Sequence, residues 1–212
     1  MASRTLTPDL IVGKAIALAD AAGIQKLSMR KLAAALDVTA MSLYNHVKNK
    51  EDLLDLMLDQ VVAEFARPDV DGQWDDMIRR RAHSMRTALK AHPWALSLLT
   101  SRINLGAAMF ADMNATTGCL ITSGFSYAQA DWAKNAVDSF TYGYVLQEMN
   151  FPVEPDQYQA TARQFLPMIS KADYPHFHGA AVAVAEGAYD GQTDFDFGLS
   201  MVLDGLRKWK QA

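Results

Sequence analysis

Two helix-capping residues eleven positions apart, with an aspartate between them, leave the segment Ser28–Lys50, SMRKLAAALDVTAMSLYNHVKNK, few ways to fold. Ser28 accepts from the free amides of a first helix whose inner face is Leu32, Ala33 and Leu36. Asp37 fills the turn, a position that favours residues tolerant of left-handed backbone. Val38 points inward, Thr39 caps again, and a second helix is predicted from Ala40 to about Val47. Leu43 and Val47 share its buried face, leaving Ala40, Met41, Ser42, Tyr44, Asn45 and His46 for solvent or a partner. So short a helix is unstable alone and has to be held by its neighbours. Its outward hydroxyls, amide and imidazole suit base edges and phosphates, which is the layout of a helix-turn-helix. The alternative is an ordinary helical hairpin inside a bundle.

The flanks support the first reading. Thr7-Pro8-Asp9 combines an N-cap, a proline where its missing amide costs nothing, and an acid that suits the helix dipole. Ile11, Val12, Ala15, Ile16, Ala19 and Ala22 form the stripe of that helix, Gly23 ends it, and Ile24 and Leu27 pack the link that follows. Asn49 caps a fourth helix with Asp52 as a short capping-box acid, and Leu53, Leu54, Met57, Leu58, Val61, Val62 and Phe65 give one buried face. Lys50 in its first turn opposes the dipole, a conflict that a bound phosphate relieves; the alternative is a solvated lysine. The organisation read from this is 1–48 as a DNA-binding domain, 49–66 as a connecting helix and 67–212 as a ligand-binding and dimerisation domain.

Net charge is -4, which taken alone argues against a nucleic-acid partner. Its distribution reverses that inference: residues 1–50 hold seven Lys or Arg (Arg4, Lys14, Lys26, Arg30, Lys31, Lys48, Lys50) against Asp9, Asp20 and Asp37. The basic end suits phosphates, and the acidic remainder keeps the body off them. A single cysteine, Cys119, excludes an internal disulfide framework, and no apolar run approaches the length of a membrane span or a signal peptide. A cytoplasmic protein with no membrane association is expected.

The rest reads as all-α. Helices are predicted over 74–91, after Pro93, over 105–123 and over 127–149. A further helix over 156–170 should be broken at Pro167, and mobility or irregular helix is expected over 172–191. The final segment, 193–209, repeats Phe195, Leu199, Val202, Leu206 and Trp209 at alternating spacings of 4 and 3, and Ala133, Val137, Phe140 and Tyr144 recur similarly. Val137, Phe140, Tyr144, Leu199, Val202 and Leu206 are thereby candidates for a four-helix homodimer interface, with an intrachain seam as the alternative. Gly143, Gly198 and Gly205 would allow close approach. No catalytic, metal or cofactor site is read here. His176 and His178 have no further histidine nearby, and Asp75-Asp76 suits a helix start. Asn114-Ala115-Thr116 is a glycosylation pattern without meaning in the cytosol, and no phosphate-binding glycine loop occurs.

Residues 23–58, GIQKLSMRKLAAALDVTAMSLYNHVKNKEDLLDLML, and above all LYNHVKNKEDLL, resemble the tetracycline-repressor (TetR) family of bacterial transcription regulators. QWDDMIRRRAHSMRTAL, SGFSYAQA, DSFTYGYVL and DFDFGLSMVLDGL resemble the C-terminal domain of its tetracycline-repressor class. The resemblance implies a homodimeric, ligand-released repressor of double-stranded operator DNA, its two reading heads in successive major grooves of a palindrome. It places operator contacts on Arg30, Ala40, Met41, Ser42, Tyr44, Asn45, His46 and Lys50, with Thr39 and Lys48 beside them. Arg30 can reach a guanine bidentately, whereas Tyr44, His46 and Lys50 suit phosphates. Where the tetracycline repressor has a base-reading Gln this chain has Ala40, so its operator should differ.

By the same resemblance, ligand positions fall on Ala66, Arg81, Met85, Leu99, Arg102, Thr116, Ser139 and Gln147. Leu99 and Gln147 stand where that class holds magnesium through an imidazole and a nearby carboxylate, so a magnesium-tetracycline complex is not expected. Met85, Met113 and Phe140, with Met109, Trp94 and Phe110, favour a hydrophobic or aromatic effector or else fill the core. Arg81 and Arg102 either pair with an anionic ligand or lie on the surface. Two other readings stay open at this point: a DNA-binding activator or architectural protein without a ligand, and an all-α carrier or enzyme.

Overall fold

The computed structural model describes residues 6–190 and 194–210. Arg4 of the basic segment and Thr193 of the final segment lie outside them. Among the described residues every regular element is helical. The chain forms two compact units, 1–149 with 199–212, and 150–198.

The first unit begins with α1 (Pro8–Ala22), α2 (Met29–Leu36) and α3 (Ala40–Tyr44). Local chemistry sets their ends. Thr7 accepts from the Leu10 amide, Ser28 from Lys31 and Thr39 from Ser42, each at 3.3 Å. Gly23, at φ 83°, turns the chain out of α1 where a side chain would be strained. Asp37 adopts the left-handed backbone the sequence requires of it, at φ 56° and ψ 45°. The predicted end of α3 is corrected: the helix stops at Tyr44, not near Val47. The His46 amide bonds back to Leu43, closing a tighter turn that drops Val47 into the core and frees Asn49 to start the next helix.

That helix is α4 (Lys50–Val62), whose apolar face is wholly buried. Asn49 accepts from the Asp52 amide at 2.8 Å, and Asp52 reaches back to the Lys48 amide at 2.8 Å, one residue beyond the usual capping-box donor. There follow α5 (Trp74–Ala91), α6 (Pro93–Ser101), α7 (Ala107–Thr122), α8 (Tyr127–Asn150) and α11 (Phe195–Lys210), the last belonging to this unit from Leu199 on. One continuous apolar core runs from Ile11 through Leu43, Met57 and Met85 to Val145. It therefore joins α1–α4 to the helices that follow, and at about 25 cal/mol per Å² of buried apolar surface it fixes their mutual arrangement.

The second unit contains α9 (Tyr158–Phe165) and α10 (Pro175–Ala185). As expected, helix stops before Pro167, which sits in a 3-10 turn over Leu166–Met168. The expectation of irregularity over 172–191 is corrected, since Pro175 opens an eleven-residue helix. Arg163 of α9 donates to the Ala185 carbonyl at the end of α10 at 2.7 Å.

The proposed dimer seam is also corrected in part. Val137, Leu199 and Leu206 are buried within the single chain, and Val202, Phe140 and Tyr144 are half-buried. Arg207 of α11 pairs with Asp75 of α5, and Trp209 lies 5.8 Å from Trp132 of α8. The faces left outward are Met201, Gly205 and Lys208 on α11, and Ser139, Gly143 and Leu146 on α8. A Cβ built on Gly143 or Gly205 meets open space.

Candidate nucleic-acid interface and adjoining cavity

The outward face of α2 and α3 holds the residues singled out in the sequence. Arg30, Met41, Tyr44, Asn45, His46, Lys48 and Lys50 are exposed, Met41 by 74% and Tyr44 by 46%, while Ala40 and Ser42 are half-buried. Leu43 and Val47 anchor the segment from beneath. Among the described residues no hydrogen bond or ion pair engages the side chains of Arg30, Tyr44, His46 or Lys50, so their donors face outward uncommitted. Thr39 and Ser42 differ, because their hydroxyls bond to each other at 2.9 Å. Their contribution to a bound partner is therefore shared with the capping of α3. The arrangement puts a guanidinium, a phenol, an imidazole and two ammonium groups around a short helix, with no acidic side chain on α3. That combination can take phosphates at its rim and base edges at its centre.

A joint at the far end of α1 fixes how this head is held. His92, between α5 and α6, places Nδ1 2.9 Å from Asp20 of α1 and Nε2 3.2 Å from Glu64 just beyond α4. The indole of Trp94 donates to the same Asp20 oxygen at 2.7 Å. Nothing in the spacing of these residues announced the joint.

Beyond α4 lies a cavity of about 320 Å³ between α5, α7, α8 and the end of α6. Its apolar wall is Phe65, Leu99, Ile103, Met109 and Met113, and its polar side includes Arg81, Arg102, Asn104, Asp112, Lys134, Asp138, Ser139 and Tyr142. The structure thus brings together Arg81, Leu99, Arg102, Met113 and Ser139 of the positions expected to meet a ligand. Ala66, Met85, Thr116, Phe140 and Gln147 do not line it. Met85 and Thr116 are wholly buried in the packing, the Ala66 amide is held by Ser84 at 2.7 Å, and Gln147 is exposed elsewhere on α8.

The surface reading of Arg81 is wrong. Arg81 is 2% exposed, forks onto Asp112 with two bonds of 2.7 Å and reaches Asp138 at 2.6 Å. Lys134 completes the set on Asp138 at 2.6 Å. Burial alone pulls the Arg81 guanidinium down, but the adjoining Asp138 and Asp112 charges and hydrogen bonds together push it well above its ordinary value. For Asp138 burial acts upward, and Arg81 and Lys134 overcome it to hold the carboxyl below the usual range. Two signals in the sequence pointed here: an aspartate isolated in the apolar run around 107–113, and the Lys134/Asp138 pair one helical turn apart.

The cavity wall is tied to α4 at two places. Arg102 bonds Asp55 through Nε at 3.0 Å and Nη2 at 2.8 Å, and also pairs with Glu51. Asp59 caps α7 from outside its own sequence, accepting from the Ala108 and Met109 amides at 3.1 Å each. Gly106 makes room for this, since a Cβ there would stand 2.0 Å from the Asp59 carboxylate. Displacing the first turn of α7 or the link over 102–106 must therefore pull on α4.

Among the described residues no cluster of three or more His, Cys, Asp or Glu could hold a metal ion, and no helix is long and apolar enough to cross a membrane.

Comparison with known proteins gives a consistent result. Residues 11–57 match the family described as bacterial regulatory proteins, tetR family, and residues 67–209 the one described as tetracyclin repressor-like, C-terminal domain. An HTH-type transcriptional regulator of Saccharopolyspora erythraea is 35% identical over 202 residues, 95% of this chain and 84% of the relative. The HTH-type transcriptional repressor DrrR1 of Streptomyces coeruleorubidus is 31% identical over 95% of this chain and 77% of its own. The crystal structure of ActR from Streptomyces coelicolor in complex with actinorhodin superposes with a TM-score of 0.79 at 27% identity, over 99% of this chain and 100% of that one.

Proposed function

Because the chain belongs to the TetR family of DNA-binding transcriptional regulators, we propose that it is a cytoplasmic homodimeric repressor, released from a palindromic operator by a hydrophobic or aromatic effector. Residues 1–48 are the reading head, 49–66 the connecting helix, and 67–212 the effector and dimerisation domain. Arg30 and the start of α3 meet bases in the major groove, and Tyr44, His46 and Lys50 meet phosphates. The partner copy docks on the outward stripes of α8 and α11, where Gly143 and Gly205 leave room for a close helix crossing.

One observation carries the effector-released reading: the walls of the cavity are held to α4 by Arg102 and Asp59. A ligand that shifts α7 or the 102–106 link changes the pull on α4, and with it the spacing of two reading heads. By linkage, whatever the ligand does to DNA affinity, DNA does to ligand affinity. The complex of ActR with actinorhodin supports a ring compound as the effector class.

The test is binding to DNA upstream of the protein's own and neighbouring genes, with salt varied and aromatic compounds added. A steep negative dependence of log affinity on log salt, one dimer per palindrome and release by a compound that raises thermal stability are expected. Absence of binding to any such DNA sinks the reading.

Two outcomes bear on the cavity. Gly106→Ala pushes the Asp59 carboxylate off the α7 amides and should lower stability by about 1 kcal/mol, the cost of a lost cap, measured by chemical denaturation. The same variant should need more of a releasing compound to leave DNA, because one of the two ties to α4 is lost and only that of Arg102 remains. Tetracycline with magnesium should fail to release the DNA at concentrations that release the tetracycline repressor. Leu99 offers no donor, Gln147 is outside the cavity, and the carboxylates of Asp112 and Asp138 are already taken. Release at equal potency would refute this.

A further inference from the structure

We propose that His92 is a positioning residue for operator binding: by tying α1 and the segment after α4 to the corner between α5 and α6, it fixes the angle of the reading head, and so the half-site spacing a dimer accepts. This rests on the reading of the chain as a homodimer on a palindrome, and assigns to one side chain the geometry that reading requires.

The apolar core sets which helix faces meet, but non-directional contact resists small rotations less sharply than hydrogen bonds do. His92 is mounted to supply such bonds. Its amide donates to the Ala88 carbonyl of α5, and its carbonyl accepts from the Ala95 amide of α6, both at 2.9 Å, so its backbone is held by both helices. Pro93 follows and restricts that backbone further. The ring is largely buried and lies 6.0 Å from the ring of Trp94. From this mount the two ring nitrogens face carboxylates on two different parts of the head, Asp20 near the end of α1 and Glu64 beyond α4. Trp94 adds a third bond, from α6 to the Asp20 oxygen that faces His92. The imidazolium donates to both carboxylates, and the neutral ring to one. Among the described residues the side chains of Asp20 and Glu64 have no other hydrogen-bond or ion-pair partner, so these bonds are their whole attachment to the body. Turning α1 against the corner stretches or bends bonds of 2.7 to 3.2 Å, and such bonds weaken steeply with angle.

A fixed angle matters because the partner is a screw. One base pair added between half-sites moves the far one by about 3.4 Å and turns it by about 35°. A tied head cannot follow that turn without breaking base contacts, each of which discriminates by about tenfold or more. An untied head can.

The test uses a palindromic duplex selected from a random pool with the whole protein, then remade with its central spacer one base pair shorter and one longer. Affinity for the three duplexes is measured for the unaltered chain, His92→Ala, Asp20→Ala and Glu64→Ala, with stoichiometry, salt dependence and thermal midpoint alongside. The unaltered chain should lose about tenfold or more at either changed spacing, and His92→Ala less than about threefold. Asp20→Ala and Glu64→Ala, each cutting one side of the tie, should fall between, and they carry the test if His92→Ala does not fold. The slope of log affinity on log salt should stay the same in all four, since no phosphate contact is removed. A merely structural role lowers affinity by one factor at every spacing. That outcome overturns the proposal, as does a spacing profile unchanged in all three variants, or an unaltered chain that binds the three duplexes equally. If no duplex is selected, the DNA-binding reading itself fails, and if one protomer binds each duplex the palindrome reading fails.

Discussion

Arg81→Leu is expected to cost about 3–5 kcal/mol of folding free energy, the largest single-site effect in the body of the protein, because it leaves the buried Asp112 carboxylate without a cation and Asp138 with Lys134 alone. Against a typical total of about 5–15 kcal/mol, such a loss leaves a marginal domain. Urea denaturation followed by circular dichroism measures it as a lower midpoint with an unchanged slope. Replacing Asp112 and Asp138 by Asn in the same chain should restore much of the loss, since the penalty comes from the orphaned charges more than from the missing arginine. A cost below about 1 kcal/mol for the single change would mean that water reaches the network freely. The pH sense is fixed by the direction of the Asp138 shift. Its carboxyl is held below the ordinary value of about 3.9, so its contribution is complete above that value. The contribution is lost as pH falls through the lower, folded-state value, so the network should survive mild acid.

Arg30→Ala is the second large effect, and it falls on recognition rather than stability. Arg30 stands exposed in the first turn of α2, a helix fixed by the Ser28 cap and the left-handed Asp37 at its two ends. A bidentate arginine–guanine contact discriminates by about 1–3 kcal/mol, and a dimer makes it twice, so operator affinity should drop at least about thirtyfold. Non-specific binding should change little, and thermal stability should not move. Arg30→Lys should recover the charge but not the discrimination. In the same titration Tyr44→Ala should weaken binding to all sequences alike while leaving the dimer intact. A uniform loss for Arg30→Ala across sequences would place it on a phosphate instead.

The head of the molecule was largely legible because its determinants are local. Caps at Thr7, Ser28, Thr39 and Asn49, the turn at Asp37 and the apolar spacing of α1 and α4 each depend on neighbours within a few residues. The end of α3 was missed because Val47 continues the apolar spacing, while the backbone there already bends toward Asn49. In the body, positions transferred from the family placed Arg81, Leu99, Arg102, Met113 and Ser139 on the cavity but also Gln147, which faces away. Spacing alone could not tell whether Leu199 and Leu206 meet a second chain or their own, since a narrow apolar seam fits both.

By itself the sequence determined an all-helical chain, a reading head with its polar face outward, and the family to which both belong. It could do so because helix ends, turns and amphipathic faces are written in residues three or four apart. Only the tertiary structure decided that Arg81 is a buried partner of Asp112 and Asp138, 31 and 57 positions away. The same holds for Asp59, which caps a helix beginning 48 residues later. These depend on which helix faces meet, and a low-dielectric interior makes the outcome of each meeting large.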